Sequence, residues 1–211
     1  MIRVLLADDH GLVREGLRGL LAKAADIEVA AEAATGDEVL ARVKEADFDV
    51  ALLDLSMPGL SGLALIKRLK AEKPKLRILV LSMHGESQYA ARALKAGASG
   101  YLTKDSAAAQ LLGAIRKIAA GGVQISEAAA AQLIGAGGTA DAPHAALSDR
   151  EYEVLRRIVA GGSVTEIADA LNLSVKTVST HKARILEKLN LAGTAELVRY
   201  AIEHGLTDDR A

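Results

Sequence analysis

The sequence predicts a doubly wound α/β domain built on a five-stranded parallel sheet, followed by a small all-α domain of four helices. Three observations carry this expectation. Over residues 1–120, five short apolar runs alternate with segments of helical period. Those runs are apolar throughout rather than at every second residue, which suits parallel strands covered on both faces. From residue 147 the strand-like runs stop and only helical periodicity remains.

The elements follow in order. The apolar runs are 2–7, 27–33, 48–53, 77–82 and 100–103, each bounded by Asp, Gly or Ser. Between the first two, residues 12–24 place Leu12, Val13, Leu17, Leu20 and Leu21 on one helical face. Segments 36–46, 62–72, 86–96 and 106–119 show the same period, each behind a Gly, Ser or Thr able to start a helix. Gly121-Gly122 ends the last of these. A short alanine-rich helix is expected at 127–134, and the aperiodic, glycine-rich stretch 135–146 reads as a flexible linker. In the second domain Ser148 with Glu151, and Ser163 with Glu166, have the spacing of capping boxes. A third helix begins after Ser174 and runs to about Leu189; a fourth runs from near Thr194 to Gly205. The organisation is therefore 1–120, a connecting segment 121–146, and 147–211.

Composition narrows the function. A chain of 211 residues makes one large domain or two small ones. It has no cysteine, which removes disulfides, thiolate zinc sites and cysteine nucleophiles. The five histidines, at 10, 84, 144, 181 and 204, show no paired metal-ligand spacing. Four tyrosines and one phenylalanine are too few for a reader of stacked RNA bases. No apolar run approaches the ~20 residues that span a bilayer. The N-terminus meets two acids by position 9, unlike a secretory signal, so a cytoplasmic protein is expected. Net charge is −1, but residues 174–190 carry Lys176, Lys182, Arg184 and Lys188 against Glu187 alone, a local basic patch.

In open α/β sheets ligands bind beyond the carboxyl ends of the strands. Asp8 and Asp9 follow the first run, Asp54 the third, Ser82 the fourth and Lys104 the fifth. Acids at strand ends are often solvated turn residues; five polar groups at matching strand ends converge on one crevice instead. Three carboxylates packed together repel unless a cation joins them. Mg²⁺ suits such a site, because it takes a few carboxylates and fills its shell with water and phosphate oxygens. A lysine and a hydroxyl opposite suit a phosphoryl group. Asp54 is central and precedes the tight loop 57–62, which makes it the candidate nucleophile for an acyl phosphate.

The second constellation lies at 163–182. Ile167, Ala168 and Leu171 face inward on one helix, Asn172-Leu173-Ser174 form a turn, and Val175, Val178, Ile185 and Leu189 pack the next helix. The opposite face shows Lys176, Thr177, Ser179, Thr180, Lys182, Ala183 and Arg184, with Lys188 one turn on. A basic helix face is often merely solvated, but short hydroxyl residues between basic ones suit a major groove. His181, mid-helix, reads as a packing or phosphate-contact residue. The last helix carries Ala195, Leu197, Val198, Ala201 and Ile202, which serve either the domain's own core or the pairing of two copies.

Residues 1–120 resemble the receiver domain of a two-component response regulator, a flavodoxin-like fold. The resemblance rests on Asp8-Asp9-His10, on Asp54-Leu55-Ser56-Met57-Pro58-Gly59, on Ser82, and on Gly97 through Lys104. It implies that Asp54 accepts phosphate from a sensor histidine kinase. It further implies that Asp9, Asp54 and the Ser56 carbonyl bind Mg²⁺, with Asp8 helping through water, and that Ser82 and Tyr101 form a switch pair. Asp105 follows the lysine where many receivers have proline. Residues 147–206 resemble a LuxR-type helix-turn-helix domain through Leu147–Leu155, Glu166–Leu171, Ser174–His181, Leu186–Leu189 and Ala201–Leu206. Together these define the NarL/FixJ type, whose base-reading positions fall here on Ser179, Thr180 and Ala183. The resemblance implies a DNA-binding transcription regulator, not an enzyme, that acts on double-stranded DNA as a homodimer when phosphorylated. Two alternatives stand beside it. One is a regulator that binds DNA without phosphorylation. The other is an aspartyl-phosphate phosphohydrolase, which usually places a second Asp where this chain has Ser56.

Overall fold

The computed structural model describes residues 1–60, 62–82, 87–126, 129–130 and 143–206, and contains two compact units, Met1–Ala130 and Ala131–Ala211. In the first unit, strands β1 (Ile2–Ala7), β2 (Ile27–Ala33), β3 (Val50–Asp54), β4 (Arg77–Ser82) and β5 (Gly100–Thr103) alternate with five helices. These are α1 (Gly11–Leu21), α2 (Gly36–Glu45), α3 (Gly62–Glu72), α4 (Ser87–Lys95) and α5 (Lys104–Ala119). All strand pairs are parallel, in the order β2-β1-β3-β4-β5. Chain direction across the sheet reverses between β1 and β3, so the crevice of this doubly wound sheet opens where β1 and β3 end.

The core explains the continuous apolar runs. Val4, Leu6, Leu52 and Leu79 pack with Leu21 of α1 and with Leu111, Ile115 and Ile118 of α5. Their neighbours Leu5, Leu53 and Val80 are also fully buried, as are Val39, Val43, Leu65 and Ile66 of α2 and α3. Two expectations change here. Leu12 is 84% exposed, so the apolar stripe of α1 begins one residue later than its periodicity suggests. The third strand starts at Val50 and includes Asp54 rather than ending before it.

Two glycines hold the frame around the crevice. Gly36 opens α2 and donates its N–H to the Pro58 carbonyl at 3.2 Å, and a Cβ there would run into the Leu60 carbonyl. This contact clamps the loop after Asp54 against α2. Gly36→Ala forces that backbone apart; we expect a loss of roughly 1–3 kcal/mol in chemical denaturation, typical of overpacking. The second is Gly100 in β5, where a Cβ would meet the Gln124 carbonyl and Leu79 Cδ1, both at 2.9 Å.

That proximity moves the domain boundary. After α5 the chain turns back and Gln124 pairs with the outer edge of β5. Tyr101 N–H donates to the Gln124 carbonyl at 2.8 Å, and Gln124 N–H to the Ser99 carbonyl at 3.1 Å. The Ser126 hydroxyl accepts from Ala129 N–H at 3.2 Å, and Ala129 is fully buried. The first unit thus runs past the glycine pair at 121–122 that reads as its end in the sequence. Most of the expected helix at 127–134, and the linker residues 135–142, lie outside the described residues.

Among its described residues the second unit holds four α-helices, α6 (Asp149–Val159), α7 (Val164–Ala170), α8 (Val175–Leu189) and α9 (Thr194–Glu203). Both capping boxes form as spaced, Ser148 with Glu151 and Ser163 with Glu166. Ser174 caps α8 by accepting from Thr177 N–H. The turn between α7 and α8 passes through Asn172 at φ 51°, a left-handed conformation that Asn tolerates better than most side chains. The last part of the expected linker is not loose. Pro143–Ala146 is a 3₁₀ turn, and the buried His144 ring places Nδ1 2.9 Å from the Tyr200 hydroxyl of α9. Val175 is 48% exposed, at the first position of α8, where it lies outside the buried line of Val178, Ile185 and Leu189.

Candidate phosphoacceptor site and nucleic-acid interface

The crevice of the first unit gathers the residues that end its strands. Asp8, Asp54 and Ser82 are all buried to within 2% of complete. Lys104, the first residue of α5, reaches across and donates to Asp8 Oδ2 at 2.6 Å and to Asp54 Oδ2 at 2.8 Å. The second Asp54 oxygen accepts from Ser56 N–H at 3.1 Å, and the second Asp8 oxygen from His10 N–H at 2.9 Å. Arg14 of α1 donates to the Asp8 carbonyl at 2.6 Å, which fixes the turn carrying both acids. Burial pushes the Asp54 carboxyl above its ordinary range, opposed by the hydrogen bond and charge of Lys104. For Lys104, burial pulls the ammonium down, but hydrogen bonds to Asp54 and Asp8 outweigh it and the net shift is upward. The lysine therefore stays charged beside both carboxylates.

Asp9 has a different environment. Its Oδ1 is buried and accepts no hydrogen bond; His10 Nδ1 lies 2.9 Å away, outside hydrogen-bonding geometry. A buried carboxylate oxygen without a donor is costly unless a cation meets it. One atom each from Asp8, Asp9, His10 and Asp54 lies within 4.8 Å of the others. This oxygen-rich set fits a small hard divalent cation. The Ser56 side chain is exposed, and Tyr101 on β5 is 6% exposed, its ring already buried beside the sheet. Arg14 and His10 escape a reading by strand ends alone. Their only sequence signal is adjacency to the acid pair.

In the second unit the helix-turn-helix forms as expected, and α8 presents Lys176, Ser179, Thr180, Ala183 and Arg184 to solvent, with Thr177 and Lys182 half-buried. Two hydroxyls are already engaged: Thr177 Oγ1 lies 2.8 Å from Ser174 Oγ, and Thr180 Oγ1 donates to the Lys176 carbonyl at 2.9 Å. Burial holds the His181 imidazole below its ordinary range, and its Nδ1 is buried with no hydrogen-bond partner among the described residues, which favours a packing role.

Lys188 departs from the expected basic face. It donates to Glu151 Oε2 at 2.7 Å and to the Ala146 carbonyl at 3.2 Å, pinning α8 to α6 and to the 3₁₀ turn. Burial alone would raise the Glu151 carboxyl; the hydrogen bonds from Lys188 and from Ser148 N–H and hydroxyl outweigh it and hold it low. A depressed carboxylate contributes stability above its unfolded pKa, and that contribution fades as pH falls through the folded value. Lys188→Met should therefore lower stability by about 2 kcal/mol at neutral pH, a buried-pair loss discounted for the partly exposed ammonium. The deficit should shrink in acid, and the salt dependence of DNA binding should stay unchanged.

A buried carboxylate cluster with its lysine on a 2-1-3-4-5 parallel sheet, joined to a helix-turn-helix unit, defines a response regulator. The comparisons with known proteins agree. The family described as response regulator receiver domain matches residues 4–116, and that described as bacterial regulatory proteins, luxR family, matches residues 145–201. The chain is 38% identical to response regulator UvrY of Escherichia coli strain K12 over 209 residues, 98% of this chain and 96% of the relative. It is 39% identical to response regulator GacA of Pseudomonas protegens over 210 residues, 99% of each. RcsB from Salmonella enterica serovar Typhimurium, solved bound to promoter rprA in the presence of the phosphomimetic BeF₃⁻, superposes with a TM-score of 0.69 at 30% identity, covering 94% of this chain and 97% of that one. The chain belongs to the NarL/FixJ-type response regulators, DNA-binding transcription regulators of two-component systems. No helix among the described residues is long and apolar enough to cross a membrane.

Proposed function

We propose that this regulator is switched by phosphorylation of Asp54 by a partner sensor histidine kinase, and that the phosphorylated form binds double-stranded DNA as a homodimer in the cytoplasm. The observation that supports this best is the Lys104 ammonium bridging two buried carboxylates, one of them at the end of the central strand. In the transfer step an Asp54 oxygen attacks the donor phosphorus, the phosphorus–nitrogen bond to the kinase histidine breaks, and an acyl phosphate forms. Lys104 then exchanges a carboxylate partner for a phosphoryl oxygen. Asp8, Asp9, Asp54 and the Ser56 carbonyl would hold Mg²⁺, which when bound neutralises phosphoryl charge. The exposed Leu12, four residues after Asp8, offers the kinase an apolar contact next to the site.

Ser82 and Tyr101 are the proposed switch. Both are buried on adjacent strands, Ser82 as the last residue of β4 and Tyr101 as the second residue of β5, in register with Val80, and a hydroxyl drawn toward a phosphoryl group would change the packing that reaches the ring. Ser82→Ala should still be phosphorylated by a small phosphodonor but should lose most of the phosphate-dependent gain in DNA affinity. An unchanged gain in gel-shift titrations rejects this route.

In the second unit, α8 is the proposed reading helix, with Ser179, Thr180 and Ala183 toward base edges and Lys176, Lys182 and Arg184 toward phosphates. On α9, Leu197 and Ala201 are fully buried, whereas Ile202 is 62% exposed and Ala195 is also exposed. The domain's own core thus accounts for only part of that apolar face, and the remainder supports pairing of two copies on adjacent half-sites. Footprints showing single, unpaired half-sites at saturation would overturn the dimer.

A further inference from the structure

We infer that His10 is a nitrogen ligand of the receiver's cation site, so that this site favours late first-row divalent ions such as Co²⁺ over Mg²⁺ more strongly than carboxylates alone would. The assignment presupposes that the acid cluster holds a divalent cation.

The geometry starts from the turn between β1 and α1. His10 is the residue that precedes α1, and its extended backbone (φ −86°, ψ 106°) turns the side chain back over the acid pair. Its own N–H holds Asp8 Oδ1 at 2.9 Å, which fixes the backbone under the ring. Nδ1 then lies 2.9 Å from Asp9 Oδ1 and 3.5 Å from Asp8 Oδ1. The contact to Asp9 lacks hydrogen-bonding geometry, and Asp9 Oδ1 is buried with no other donor. A protonated ring would pair with both acids, but a neutral ring leaves its nitrogen and the buried Asp9 oxygen facing the same small volume without a hydrogen bond between them.

A cation between them satisfies both. Metal–ligand bonds of about 2.0–2.1 Å place ligand atoms roughly 3 Å apart when adjacent and about 4.2 Å apart when opposite. The four ligand atoms of Asp8, Asp9, His10 and Asp54 already lie within 4.8 Å of one another, so closure onto an ion needs side-chain movements of under about 1 Å. Lys104 occupies Oδ2 of Asp8 and of Asp54, while Oδ1 of each accepts one backbone N–H, from His10 and from Ser56, and keeps a second lone pair for an ion. The His10 side chain is 65% exposed, so the ring moves at little cost and the site has an entry path.

Ligand chemistry sets the consequence. Mg²⁺ prefers oxygen throughout its shell and gains little from an imidazole. Late first-row ions bind imidazole strongly, in the order Mn²⁺ < Fe²⁺ < Co²⁺ < Ni²⁺ < Cu²⁺. The chain has no cysteine, so the visible spectrum of bound Co²⁺ carries no thiolate bands.

The test uses the full chain stripped of metal. Co²⁺ binding is followed by its visible band and by equilibrium dialysis, and ions at this site are identified as those that excess Mg²⁺ displaces. That criterion sets aside ions held by the other four histidines. His10→Ala should lower the ratio of Co²⁺ to Mg²⁺ affinity at least about tenfold, since even lost outer-shell partners cost about 10–100-fold. His10→Asn, which offers an oxygen in place of nitrogen, should lower it in the same direction and change the Co²⁺ band. Circular dichroism checks that both variants fold. A ratio within twofold of the parent in His10→Ala overturns the inference while leaving the cation site standing. A parent chain with no Mg²⁺-displaceable Co²⁺ overturns both.

Discussion

Asp54→Asn should abolish phosphoryl acceptance: incubated with a small phosphodonor and Mg²⁺, the variant should take up no base-labile phosphate, while the parent should label. The amide keeps the shape of the side chain and one of its two acceptor oxygens but has no nucleophilic carboxylate. The variant should stay folded. Burial raises the Asp54 carboxyl above its ordinary range, so its ionised form is held at a cost in the folded chain. That cost grows as pH rises through its titration, because the native state then binds the proton more tightly than the unfolded chain does. A neutral amide removes that cost but also one carboxylate partner of Lys104, whose ammonium keeps Asp8, so the fold should survive. Base-labile label on the Asn variant would falsify the assignment of the acceptor. Loss of label together with loss of the folded circular dichroism spectrum would instead point to a structural role.

The second large effect is on DNA. Lys176 and Arg184 lie on the solvent side of α8, half a helix length apart, and both are exposed. Each phosphate contact that is removed lowers the slope of log affinity against log salt by about one unit. The double variant Lys176→Ala, Arg184→Ala should therefore lose about two units of slope per half-site, about four for the paired complex, and at least roughly 10–100-fold in affinity near physiological salt. Fluorescence anisotropy across a salt series reads both quantities. A variant that loses affinity without losing slope would place these residues in folding or base contact rather than on phosphates. Lys188→Met is the matched control. It lies on the same helix and carries the same charge, yet its ammonium is committed to Glu151 and the Ala146 carbonyl.

These two predictions differ in how far the residues alone support them. Asp54 is legible because strand ends in a parallel sheet are read directly from apolar runs, and those runs are bounded sharply by polar residues. The same reasoning places Asp8, Asp9, Ser82 and Lys104 around one crevice. The basic face of α8 is legible as composition, but composition counts Lys188 with the others. Its partner Glu151 is 37 residues away, on another helix, where no periodicity points.

What the sequence determined by itself is local: which segments are strands and helices, where helices start, and which residues end each strand. Hydrophobic period, glycine pairs and capping boxes act within a few residues, so they survive translation into structure almost unchanged. The doubly wound sheet also follows, because continuous apolar strands demand cover on both faces. Tertiary structure decided the rest, since a side chain's surroundings depend on elements distant in the chain. Periodicity put Leu12 and Val175 on buried faces; the ends of their helices project beyond the packed layer, and both are exposed. The end of the first unit is set by hydrogen bonds that carry Gln124 back to β5, not by the glycine pair that precedes it. The contact between Lys104 and Asp8, 96 residues apart, and the approach of His10 to Asp9 arise only when the strand order brings β1, β3 and β5 to one crevice.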